Sequence, residues 1–229
     1  MHRLILLVFA LMCIAAPVAQ GQQKASAQPG AANPYLFSRP IPGLTGFRVE
    51  EALNPAGDIR ALLIYDHKQQ IQTLDVCAGN PVPRIGTLGG IVFSDFNFDR
   101  YTDLAMLVSS ANENNTYCVW LFDPQKNRFV LSPDLSRLTN PAPDPATKTI
   151  ATYKHEDCAG ECYERETYAW SGDRLLPVKY EAENQDPSLP PTDDCRFIRT
   201  IKQAQDGRLV EIARQRVDQG GIPCVPHHF

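Results

Sequence analysis

The chain has 229 residues, with 22 Lys and Arg against 26 Asp and Glu and a formal charge of −4. Its basic residues are scattered, with no cluster and no interleaved aromatics, which excludes the electrostatic footprint of a nucleic-acid binder. Nineteen prolines argue against long helices.

At the start, Met1-His2-Arg3 is followed by an apolar run without charge from Leu4 to Ala16. Small and polar residues, Ala19-Gln20-Gly21, suit cleavage, so residues 1–21 are expected to be a secretory signal peptide. The run is shorter than the roughly 20 apolar residues that span a bilayer. Met12 is too large for the position before a lipidated Cys13. No membrane anchor is therefore expected after cleavage, and the mature protein is expected in the periplasm or outside the cell. Loss of Arg3 with the signal takes the charge from −4 to −5. Residues 22–40, rich in Gln, Ala and Pro, read as a flexible leader. Residues 41–229 read as a single β-rich domain, about 190 residues being enough for one core.

Short β-like runs separated by turn signals then fill the chain. They are expected at Phe47 to Leu53, Ile59 to Tyr65, Ile71 to Cys77, Ile91 to Phe96, Leu104 to Val108, Tyr117 to Phe122 and Arg128 to Leu131. Further runs cover Thr149 to Tyr153, Tyr163 to Trp170, Arg174 to Tyr180, Arg196 to Ile201 and Arg208 to Ala213. Gln125-Lys126-Asn127, Ser171-Gly172-Asp173 and Asp206-Gly207 read as hairpin turns. In Tyr163 to Trp170 the alternation is imperfect: Glu164 and Glu166 point one way and Arg165 the other, so the first half is expected to be wet on both faces. Only Pro133 to Leu138 reads as a short helical turn. The fold class is all-β, an antiparallel meander or several small sheets. There is no internal repeat, and too little chain, for a closed many-bladed propeller.

Seven cysteines are present, with Cys13 inside the signal. The remaining six, Cys77, Cys118, Cys158, Cys162, Cys195 and Cys224, are disulfide candidates in an exported chain. Six allow fifteen pairings. Order along the chain favours Cys77 with Cys118, Cys158 with Cys162 and Cys195 with Cys224. The competing reading at one place is a zinc site from His155, Cys158 and Cys162.

The strongest local signal is Asp95-Phe-Asn97-Phe-Asp99-Arg100-Tyr101-Thr-Asp103. Side-chain oxygens of Asp95, Asn97, Asp99 and Asp103 fall at loop positions 1, 3, 5 and 9, and the Tyr101 carbonyl at position 7. Calcium takes six to eight oxygen ligands at such spacing, so Ca²⁺ is the expected cofactor, in a structural role. The flanks read as strands, unlike the helices of an EF-hand. Arg100 stands where a glycine usually makes the sharp turn, at a cost of roughly 1 kcal/mol. No glutamate follows at position 12, where Met106 lies, so Asp66 or Asp75 would have to complete the shell. The competing reading is an Asp/Asn turn held by its own side chains. Against it, three crowded acidic residues repel one another without a cation.

The segment from Asp95 to Leu104 resembles the calcium loop of FG-GAP, integrin-propeller-like repeats. With Trp120 to Pro124, Asn127 to Phe129, Leu135-Ser136, Lys148 to Ile150 and Tyr168 to Leu175, residues 58–180 resemble bacterial periplasmic proteins with FG-GAP-like, propeller-blade-like sheets. One branch of that group is the immunity proteins that guard against peptidoglycan-cutting toxins delivered by type IV secretion. The resemblance implies a partner, a lysozyme-like peptidoglycan hydrolase, and an inhibitor that inserts a loop into its active site. Invertebrate-type lysozyme inhibitors use a Ser-Gly-x-x-Tyr loop for this. The nearest equivalent here is Ala159-Gly160-Glu161-Cys162-Tyr163, which makes Gly160, Glu161 and Tyr163 candidate partner-binding residues. A turn stapled by a disulfide, with Tyr163 in the core, is the plainer alternative. The alternative function is a calcium-stabilised module that binds glycan or protein.

No enzyme is expected. The sequence holds no Gly-x-Ser-x-Gly elbow, His-Glu-x-x-His helix or Gly-rich phosphate loop. His67 sits in a turn-like Asp66-His-Lys68, and His227 and His228 sit in a Pro-flanked tail. Acidic pairs are plentiful, but none stands in a recognisable glycosidase context.

Overall fold

A computed structural model describes residues 38–77, 79–83, 90–156, 158 and 161–224. Residues 1–37, which include the expected signal peptide and most of the expected leader, lie outside the described residues, as does Gly160. The described chain is nearly all strand, folded as three antiparallel meanders in sequence order.

The first sheet holds β1 (Ser38–Pro40), β2 (Phe47–Leu53), β3 (Ile59–Asp66) and β4 (Gln69–Asp75). The second holds β5 (Ile91–Ser94), β6 (Asp103–Ala111), β7 (Asn114–Asp123) and β8 (Arg128–Leu131). A single helical turn, α1 (Pro133–Ser136), follows. Ser132 caps it, accepting a hydrogen bond from the Leu135 N–H, and Pro133 opens it, where a missing N–H costs nothing. The third sheet holds β9 (Ala142–Asp144), β10 (Thr149–His155), β11 (Tyr163–Ser171), β12 (Arg174–Gln185), β13 (Phe197–Gln205) and β14 (Arg208–Val217). The C-terminal hairpin is thus part of the third sheet, since β13 pairs with β12 along Lys179 to Gln185.

Sheet two is buried on both faces. On one side Leu104, Met106, Cys118, Trp120 and Phe122 pack with Val49, Ile59, Leu62 and Ile64 of the first sheet. On the other, Phe96, Ala105 and Val119 pack with Leu135 and Leu138 after β8, and with Ile150, Tyr168 and Leu175 of the third sheet. This is why Asp103-Leu-Ala-Met106 is buried at four successive positions and shows no period of two in its sequence.

Three disulfides form, in the order expected along the chain. Cys77–Cys118 joins the end of the first sheet to β7, Cys158–Cys162 closes a short loop before β11, and Cys195–Cys224 ties the chain before β13 to the chain after β14. Oxidation consumes both thiols that a zinc site at His155 would need. Among the described residues no helix is long and apolar enough to cross a membrane.

The strand ends depart from expectation for identifiable reasons. The Pro-rich stretch after Asn140 contains β9, with Pro143 on the outermost strand of its sheet, where its missing N–H breaks no ladder. Pro177 lies inside β12, before the stretch that β13 covers, and there the ladder with β11 slips: Tyr168 faces Pro177 while Thr167 faces Lys179. A bulge accommodates a proline in a strand interior. The turn between β6 and β7 is Asn112-Glu113, both left-handed at φ 49° and 62°, a two-residue connection that glutamate does not advertise.

Candidate functional site

Two constellations flank the second and third sheets. The first is the loop from Asp95 to Thr102, between β5 and β6. It is organised by its own oxygens. Asp95 accepts hydrogen bonds from the N–H groups of Asp99 (3.1 Å) and Arg100 (2.8 Å), and Asn97 Oδ1 accepts from Asp99 N–H (3.2 Å). Asn97 Nδ2 donates to Asp99 Oδ2 (2.9 Å), and Tyr101 N–H donates to Asp99 Oδ1 (2.8 Å). The chain must curl tightly to allow this, and Phe98 and Arg100 are left-handed at φ 62° and 76°. Arg100 therefore takes the conformation that glycine adopts without strain.

Asp103 faces away from this turn, into the protein. It is fully buried and accepts from Phe96 N–H (2.7 Å) and Phe122 N–H (2.8 Å), so it fastens the loop to β7. Burial raises its pKa to about 7 against the pull of those two bonds, and the charges of Asp99 and Asp95 push in the same direction as burial. Trp170 Nε1 on β11 donates to the Phe96 carbonyl (2.9 Å), binding the loop to the third sheet as well. Tyr101 is exposed, its ring 5.8 Å from that of Phe122. Asp66, one of the two extra donors considered, is instead paired with His67 (2.7 Å). Asp75 lines a separate surface depression with Arg60, Gln70 and Thr73.

In kind, this donor set suits a hard cation. Two carboxylates and a carboxamide share one turn, and a third carboxylate behind them is destabilised by their charge. Among the described residues no three His, Cys, Asp or Glu side chains already converge as a ligand group. In the structure the loop oxygens satisfy backbone N–H groups.

The second constellation starts at the loop closed by Cys158–Cys162, which enters β11 at Tyr163. Cys162 is fully buried against Phe197 and Val217, anchoring one end of the loop in a small core of its own. The Glu161 N–H donates to the Cys158 carbonyl (3.1 Å). The Glu161 carboxylate is held by Arg196 (3.2 Å) on one oxygen and by the Gln219 amide on the other. Glu161 thus braces the loop against the chain before β13 and after β14.

Tyr163 is half-buried. Its hydroxyl donates to Glu181 (2.9 Å), and its ring stacks on Tyr153 with centroids 5.9 Å apart. The His155 ring meets Tyr153 edge-on at 4.7 Å. Burial and then the Glu181 hydrogen bond raise the Tyr163 pKa. For Glu181, burial pushes upward, but hydrogen bonds from Tyr163 and Lys179 with neighbouring positive charge outweigh it and hold the carboxyl below its usual range. Glu183, almost fully buried, pairs with Arg199 (2.9 Å). Gly221 makes room for that pair: a Cβ there would sit 2.2 Å from the Arg199 guanidinium.

The strand ladder explains the grouping. Tyr153 faces Arg165 and His155 faces Tyr163 across β10 and β11, while Arg165 faces Glu181 and Tyr163 faces Glu183 across β11 and β12. Sequence reading missed Tyr153, Arg165, Glu181 and Arg199, although the two-residue period already puts Tyr153 with His155, and Tyr163 with Arg165, on one face. It also expected the start of β11 to be wet on both faces. On the opposite face, Glu164 accepts from the Tyr180 hydroxyl (3.0 Å) and Glu166 from the buried Tyr168 hydroxyl (2.5 Å), leaving both carboxylates half-buried. One tyrosine lies two residues along β11 and the other diagonally across on β12.

No family model matches the chain, and no curated protein matches it. Among solved structures, a Type IV Secretion System related protein from Xanthomonas is similar, with a TM-score of 0.54 and 17% identity, over 78% of this chain and 93% of that one. At that identity the likeness is one of fold.

Proposed function

We propose that the chain is a periplasmic inhibitor of a lysozyme-like peptidoglycan hydrolase, presenting the loop closed by Cys158–Cys162 and the adjoining Tyr163 to the hydrolase's active-site cleft. The observation that carries this reading is the bracing of that loop. A disulfide, a buried Cys162 and a doubly held Glu161 tether the ends of that loop before any partner arrives. Preorganisation of this kind lowers the ordering cost of binding. Three disulfides suit an oxidising compartment outside the cytoplasm. The shared fold with a secretion-related protein supports a role connected with type IV secretion.

The chain does no chemistry in this reading; it occludes. Calcium, where bound, would be held by Asp95, Asn97, Asp99 and the Tyr101 carbonyl, while Asp103, turned inward onto the Phe96 and Phe122 N–H groups, would anchor the loop from behind. The ion would neutralise the crowded carboxylates and stiffen the junction of β5 and β6. The same loop favours a second reading, a calcium-stabilised module that binds glycan or another protein.

The test is a peptidoglycan-lysis assay with parent and Tyr163→Ala against a panel of c-, g- and i-type lysozymes and lysozyme-like toxin domains. Tyr163→Ala is expected to weaken inhibition by about 2 kcal/mol or more, roughly 30-fold, with the fold intact by circular dichroism. A folded Tyr163→Ala that inhibits as well as the parent would remove this loop from the account.

A further inference from the structure

We infer that Arg165, rather than Glu161, is the residue that meets the catalytic carboxylates of the hydrolase, on a support formed by Tyr153 and Tyr163; this rests on the inhibitor reading above. A glycosidase cleft presents two carboxylates about 5 to 9.5 Å apart, and the group that enters it must complement negative charge. Glu161 is the wrong sign for that task, and both its oxygens already serve the loop. Arg165 is exposed, two residues beyond Tyr163 on the same face of β11. Its guanidinium carbon lies 5.1 Å from the Tyr153 ring centroid and 4.8 Å from that of Tyr163.

The other charges on this face are already matched. Glu181 is held by Lys179 and by the Tyr163 hydroxyl, and Glu183 by Arg199. Among the described residues Arg165 has no carboxylate within ion-pair distance, although Glu181 stands opposite it on β12. Arg165 is thus the cation of the cluster left available to a partner. A guanidinium takes a carboxylate through two parallel hydrogen bonds, and two tyrosine rings beneath it keep its charge favourable as water is displaced. Arginine and tyrosine are also the residue types that dominate interface energetics.

The experiment compares parent, Arg165→Glu and Arg165→Lys in the same lysis assay, at low and high salt. Arg165→Glu is expected to weaken inhibition by about 30-fold or more, with Arg165→Lys between the two. The parent's inhibition should also fall more steeply with salt than that of Arg165→Glu. Circular dichroism should show both variants folded, with Arg165→Glu melting lower than Arg165→Lys because it sets a carboxylate opposite Glu181. A folded Arg165→Glu that inhibits as the parent does would overturn the assignment of Arg165 while leaving the inhibitor reading in place. A parent that inhibits no member of the panel overturns the inhibitor reading, and the inference with it.

Discussion

Asp103 does two jobs that pull against each other. Its carboxylate satisfies two buried N–H groups, which favours the charged form, yet it sits in an apolar interior beside Asp95 and Asp99, which disfavours it. A cation in the turn would resolve that conflict. Parent protein is therefore expected to gain stability on adding Ca²⁺, by about 2.7 kcal/mol at a hundredfold excess over its dissociation constant. Asp95→Ala with Asp99→Ala should melt at a temperature that does not respond to Ca²⁺. Equal calcium responses in a differential scanning experiment would sink the metal assignment. At this scale the turn itself was legible from the spacing of its oxygens, and the left-handed Arg100 bears out the strain expected there. What was not legible is the direction of Asp103. A strand residue's facing depends on which sheet covers it, and both faces of β6 are covered.

Strands carry a different lesson. Periodicity located them, but their ends were set by partners far away in sequence. β12 runs on to Gln185 through Glu181 and Glu183, a charged stretch that reads as loop, because Tyr163, Lys179 and Arg199 neutralise and bond those carboxylates once the strands align. The first two sheets are joined edge to edge by a side chain imitating a strand. Gln72 of β4 donates to the Phe129 carbonyl of β8 (2.7 Å) and accepts from the Phe129 N–H (2.9 Å). Nothing in the sequence marks Gln72 for this, since one glutamine among polar strand residues looks like any other. Gln72→Ala leaves a backbone donor and acceptor of β8 without that partner. It is expected to lower stability by about 1 to 3 kcal/mol in urea unfolding. An unchanged midpoint would mean that water replaces the amide at no cost.

For the molecule as a whole, three meanders follow one another along the chain and meet through both faces of the middle one. The all-β class and the order of hairpins were readable, because each sheet is built from neighbours in sequence. The meeting of faces was not, because it depends on contacts between residues as distant as Phe47 and Phe122, whose ring centroids lie 5.6 Å apart. On the proposed account this scaffold holds one braced loop and one aromatic face toward a hydrolase cleft. The most direct measurement is an end-point titration of the mature protein into a peptidoglycan suspension being lysed by a fixed amount of hydrolase, across the lysozyme and toxin-domain panel. The account predicts that, for one class, lysis falls linearly and stops at one inhibitor per hydrolase. Undiminished lysis by every member of the panel, at large excess of the protein, would contradict it.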